Sequence, residues 1–182
     1  MTDMQTGQSD SELDSLRQTT RDLVALSTLP AIWGNLPPQR VVESLAEVFV
    51  RTLDLDLVHA RLLASIDSAA CDITRSASTD VQALFLPVAC AVLENEAAPQ
   101  AHVIDGQVFR TLVLRFGTRG DIGALVAGSR RPDFPTRNER TLLAVGVNQA
   151  TIVLQRQLAE RASSAAHRTS WRLPTRLRRR SE

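Results

Sequence analysis

The chain has no lysine and no tyrosine, only two cysteines, and aromatic residues at 4% of its 182 positions. Each scarcity excludes something. Cys71 and Cys90 alone cannot build a disulfide framework or an all-cysteine zinc site. No apolar run approaches the roughly 18 residues that a membrane-spanning helix needs. The opening MTDMQTGQSDSELD is acidic and polar, unlike a secretory leader, so a cytoplasmic location is expected. Histidine occurs three times, at His59, His102 and His167, too scattered for a zinc site. Gly117, Gly120, Gly123 and Gly128 miss the spacing of both phosphate-binding glycine loops and read as turn and packing glycines. No Gly-x-Ser-x-Gly elbow and no paired-carboxylate constellation is present.

What remains is an ordinary globular composition, with 43% hydrophobic and 23% charged residues. At this length a single core can form without staples. All 21 basic residues are arginine, and seven of them lie in residues 161–182 against one acid, Glu182. The tail is therefore strongly basic and the body mildly acidic. A body of that sign is unsuited to nucleic acid. The tail, with Trp171, Leu173 and Leu177 among its arginines, has some amphipathic character, but a short charge run of this kind reads first as a solvated end.

Hydrophobic periodicity divides the chain. Residues 1–10 read as a disordered lead, residues 11–162 as one domain and residues 163–182 as an Arg-rich flexible tail. Ser9 and Glu12 have capping-box spacing, so a helix is expected from about Ser11. Leu13, Leu16, Leu23 and Leu26 give it a narrow apolar seam that suits a helix partner, and Pro30 is expected to end it. A wider apolar face, Val41, Val42, Leu45, Val48, Phe49 and Leu53, marks a core helix over 38–53. Alternation predicts a hairpin of strands over 56–64 and 71–77, with Leu57, His59 and Arg61 on one face and Val58, Ala60 and Leu62 on the other. A helix is expected over 79–96, capped by Thr79 with Gln82 and kinked or split at Pro87. Strands follow over 101–104, 108–116 and 122–129, the first two joined by the turn dipeptide Asp105-Gly106. The last helix opens on Thr136 with Glu139 at capping-box spacing. Its stripe, Leu143, Val147, Ala150, Leu154 and Leu158, is broad at first and then narrows to a seam. Beyond Ala162 the chain is expected to be disordered or weakly helical.

This order implies an α+β domain built on one mainly antiparallel sheet. The segments LPAIWGNLPPQRVVESLAEVFVRTLDLDLVHARLLA (29–64) and GALVAGSRRPDFPTRNERTLLAVGVNQATIVLQ (123–155) resemble the start and end of GAF domains of bacterial sensor histidine kinases. The Phe134–Glu139 segment and the Asn148-Gln149-Ala150 run carry the C-terminal part of the likeness. The resemblance covers about residues 29–158 and is poor over 65–110. It implies a GAF-like fold, with N- and C-terminal helices on one sheet face and short helices and loops forming a pocket on the other. It further implies a non-catalytic small-molecule sensor in bacterial signal transduction, a homodimer through its terminal helices, and a histidine kinase or other signalling partner. No kinase or DNA-binding domain fits into the residues after the domain, so the expectation is either output through a partner or a free-standing remnant.

Candidate site residues follow from the same reading. Arg61, Arg75 and Arg115, together with Arg110, fall on predicted strands, where an arginine inside a pocket would hold an anionic ligand bidentately. Otherwise they form a solvated or edge face paired with Asp56 and Asp72. Arg61 is the best of these candidates. His59 beside it is a candidate ligand contact. His59 or His102 could serve a haem as proximal ligand, the competing reading being a satisfied core or edge histidine. Cyclic-nucleotide and bilin signatures are absent, and the cofactor is otherwise unspecified. Cys71 and Cys90 keep open a thiol redox enzyme of the methionine sulfoxide reductase type, which needs an exposed low-pKa thiol with a resolving partner. Their apolar settings favour small buried hydrophobes instead. The remaining alternative is an interaction module whose pocket is filled by its own side chains.

Overall fold

The computed structural model describes residues 20–21, 23–24, 26–64, 69–95 and 100–170. The element order is helix α1 (20–33), α2 (Pro38–Thr52), β1 (Leu57–Leu62), β2 (Cys71–Ser76), α3 (Thr79–Glu94), β3 (Gln100–Ile104), β4 (Gln107–Phe116), β5 (Gly123–Ser129) and α4 (Arg137–Ser170). The expected lead at 1–10, and the expected helix start with Leu13 and Leu16, lie outside the described residues.

Five strands form one sheet in the order β2-β1-β5-β4-β3, and every pairing is antiparallel. Asp105 and Gly106 both take positive φ, 48° and 74°, so the β3–β4 connection has the left-handed pair that a tight hairpin turn requires. Strand alternation then creates two cores. Val58, Ala60, Leu62, Leu112, Phe116, Leu125 and Ala127 face the terminal helices. Leu57, Phe109 and Val126 face α3. The α3 side is closed by stacking of Phe85 on Phe109, with ring centroids 4.1 Å apart and 11° between planes. Phe109 lies directly over Gly128, where an added Cβ would come within 2.1 Å of the ring.

On the larger face, α2 begins with Pro38, whose missing N–H costs nothing in the first turn. It buries Val41, Val42, Leu45, Ala46 and Phe49 completely. The α4 helix starts on the expected capping box. The Glu139 N–H donates to Thr136 Oγ1 at 3.2 Å, and the Thr136 N–H donates back to Glu139 Oε2 at 2.8 Å. Gly146 lets α4 approach Phe49 of α2 more closely than any side chain would allow.

Three local expectations are corrected. Helix α1 does not end at Pro30 but runs to Trp33, because only helical geometry carries Leu29 and Trp33, at 9% and 0% exposure, into the same core as Leu26. Pro87 does not split α3 into two helices: one helix runs through it from Thr79 to Glu94. Pro87 and Ala83, whose carbonyl loses its helical donor, are both exposed, on the side of α3 that water can reach. The α3 cap is Ser78 rather than Thr79, its Oγ accepting from the Val81 N–H at 3.3 Å. Helix α4 continues to Ser170, in keeping with the helical alternative read beyond Ala162, and the rest of the expected tail, 171–182, lies outside the described residues.

Candidate functional site

The α3 face carries the polar residues singled out in the sequence. Register puts His59 opposite Thr74 and Arg61 opposite Asp72, so all four side chains share that face. His59 is 2% exposed. Its Nδ1 lies 2.9 Å from Thr74 Oγ1, and its Nε2 lies 3.5 Å from Cys90 Sγ on α3. A neutral imidazole uses one nitrogen as donor and the other as acceptor, so the hydroxyl and the thiol take complementary roles. Arg61 grips Asp72 bidentately, Nε to Oδ1 at 2.8 Å and Nη2 to Oδ2 at 3.1 Å, and its Nη1 lies 3.7 Å from Glu94.

The electrostatics of this strip favour a neutral His59, a protonated Cys90 and a charged Asp72. Burial lowers the His59 pKa below the usual 6.5, with Asp72 opposing and Arg61 assisting. Burial raises the Cys90 thiol pKa, against a lowering influence from Arg61. The Arg61 hydrogen bonds hold the Asp72 carboxyl below its usual range. His59 thus matches the satisfied core histidine, with both ring nitrogens engaged.

A pH prediction follows. The folded state keeps His59 neutral, whereas the unfolded chain protonates it below about 6.5, so the unfolded state binds the extra proton. Stability from this group is complete above that pH and falls as pH drops through it. Urea midpoints should fall between about pH 7.5 and pH 5, and less so in His59→Gln. Equal pH dependence in the two proteins would contradict the assignment.

The other candidates separate. Arg115 shares the α3 face: Arg61, Ala124 and Arg115 are neighbours across β1, β5 and β4. Arg75 lies on the opposite face, within 3.5 Å of Glu43 and of Glu47 on α2, so it cannot join Arg61 around one ligand. Arg110 also falls on that opposite face, the side of Leu112. Cys71 packs against the terminal-helix core and Cys90 sits on α3, so the sheet stands between the two thiols. Burial also raises the Cys71 thiol pKa, Asp72 and Glu43 adding to it. His102 rests on the β3 edge, its Nε2 3.3 Å from Thr111 Oγ1. His167 lies in the helical end of α4. Among the described residues no group of three or more His, Cys, Asp or Glu is placed to hold a metal, and no helix is long and apolar enough to cross a membrane.

Two concavities matter. An open groove of about 500 Å³ follows α3 and β3 past Val88, Asn95, Gln100 and His102, outside the filled interior. A more enclosed cavity of about 460 Å³ lies on the terminal-helix face, where the first turn of α2, the adjoining ends of β1 and β2, and α4 converge. Leu62, Cys71, Ile122, Leu154, Leu158 and Arg161 line it. The sequence reading missed this cavity. Its available signal was Arg161, which follows Leu154 and Leu158 on one helical stripe and breaks an apolar seam with a charge.

Comparisons bear on the fold. No protein-family model matches the sequence, and no curated protein matches it. Among solved structures, the chain is similar to the GAF domain of a protein designated a sensor histidine kinase in Pseudomonas syringae pv. tomato. That likeness has TM-score 0.53 and 18% identity, over 88% of this chain and 98% of that one. It is also similar to the GAF domain of an Acinetobacter phosphoenolpyruvate-protein phosphotransferase, at TM-score 0.49 and 11% identity, over 80% of this chain and 95% of that one. The α+β architecture is therefore that of a GAF domain, as the sequence resemblance implied.

Proposed function

We propose that the protein is a non-catalytic small-molecule sensor and dimerisation domain of bacterial signal transduction, located in the cytoplasm. It acts through its terminal helices on a partner such as a histidine kinase. The observation that carries this reading is the span of α4. Its first half is locked into the core by Leu142, Leu143, Val147, Ala150, Val153 and Leu154. The same 34-residue helix then continues beyond Leu158 to Ser170, a total length of about 50 Å at 1.5 Å per residue. A rigid element anchored beside a cavity at one end and projecting at the other can convert occupancy into displacement. The Pseudomonas neighbour, a GAF domain of a protein designated a sensor histidine kinase, supports the kinase context.

The described part of the seams expected in the sequence is covered within the chain, which favours another self-contact. Leu26 and Leu154, at 2% and 1% exposure, are covered within the chain, and Leu23 and Leu158 pack against the same core. Among the described residues, the large apolar side chains that the terminal helices expose are Val24, Ile32 and Ile152, each at 60% or more. We assign the self-contact to these. The opposite placement of the thiols, and their raised pKa values, favour the sensor over a two-cysteine redox enzyme.

Native mass spectrometry of protein purified without denaturant tests the reading. The expected spectrum is a dimer carrying a bound small molecule, reduced to monomer in Ile32→Glu/Ile152→Glu. A bare monomer at micromolar concentration would overturn it.

A further inference from the structure

We propose that the ligand site is the cavity beneath α4 on the terminal-helix face, and that it takes a small amphiphile with an apolar body and an anionic head. The inference rests on the sensor reading and specifies its site. The volume, about 460 Å³, lies in the range of pockets that hold small molecules. Leu62, Ile122, Leu154 and Leu158 supply an apolar wall. The head group is set by charge. Arg161, half-buried at the cavity edge, has no ion pair or hydrogen bond among the described residues. The neighbouring first turn of α2 contains no acid and its Pro37 cap offers no side-chain acceptor, which leaves the positive end of that helix uncompensated. The Asp121 carboxylate on the rim is exposed and solvated, so it opposes an anion weakly. The α3 interior, by contrast, is filled by Phe85, Phe109, Ala89 and Val92.

The position gives the site a direct route to output. Leu158 and Arg161, both half-buried, follow the buried Leu154 on the helix that leaves the domain, at the level where its core contacts end. A bound amphiphile would cover the stretch of α4 that the core leaves half-open.

Cys71 lines the cavity and Cys90 lies across the sheet, so the two thiols form a built-in probe and control. Carbamidomethylation by iodoacetamide, followed for each cysteine by mass spectrometry, reads occupancy. Octanoate should slow modification of Cys71 and leave Cys90 unchanged. In Arg161→Gln, octanoate protection should need about tenfold more ligand, the scale of one charge-assisted hydrogen bond. Protection by 1-octanol should be unaffected by that substitution. Octylammonium protecting as well as octanoate would overturn the anionic head. No protection of Cys71 by any of the three would overturn the site. If native mass spectra still showed a retained small molecule in that case, the sensor reading would stand and this cavity would not be its pocket.

Discussion

Replacing Trp33 with alanine should destabilise the domain by about 3–5 kcal/mol, the range for deleting a fully buried large aromatic side chain. Trp33 has 0% exposure and lies in one cluster with Leu26, Leu29, Val41, Val42 and Leu45. Its indole Nε1 is buried without a hydrogen-bond partner among the described residues, so the cost comes from lost packing rather than a lost polar contact. The substitution asks whether α1 belongs to the fold or is only an extension leading into it. Urea unfolding followed by circular dichroism should show a lowered midpoint with an unchanged slope. A loss below about 1 kcal/mol, the scale of a change away from the core, would place α1 outside the cooperative unit.

The second large effect concerns the closed side of the sheet. Phe109→Ala should cost about 3–5 kcal/mol by removing the ring that stacks on Phe85 and covers Gly128. Gly128→Ala should cost about 1–3 kcal/mol by overpacking, since its new methyl would meet Phe109 at 2.1 Å and Phe85 prevents the ring from withdrawing. The double variant should be less damaged than the sum, because the alanine methyl occupies space that the lost ring vacates. A coupling of about 0.5–3 kcal/mol is expected for residues in such contact. Strict additivity in the cycle would mean that Phe109 moves freely and that the α3 side is not a filled core.

Elements governed by local chemistry were legible in the sequence. The Thr136–Glu139 box, the Asp105-Gly106 turn and the two alternating faces of β1 each follow from a few adjacent residues, and each appears at its expected place. Pro30 and Pro87 misled because a proline penalty is local while the burial of Trp33 and Phe85 is tertiary, and the tertiary gain prevails. The apolar seams misled for a related reason. A narrow stripe on α1 or α4 looks incomplete by itself, yet Leu26 and Leu154 complete one shared core. Sequence alone grouped Arg61 with Arg75, because pairing register is needed to see that they stand on opposite faces. The cavity was hidden for the same reason. Leu62, Cys71, Ile122 and Leu158 are far apart in the chain, and only the folded sheet brings them around one space.

Hydrogen–deuterium exchange along α4, with and without octanoate, tests most directly whether a ligand acts on the output helix. The account predicts slower exchange across Leu154–Arg161 and onward toward Ser170, with α3 unchanged. Protection confined to α3, or no change in α4 at saturating octanoate, would contradict it.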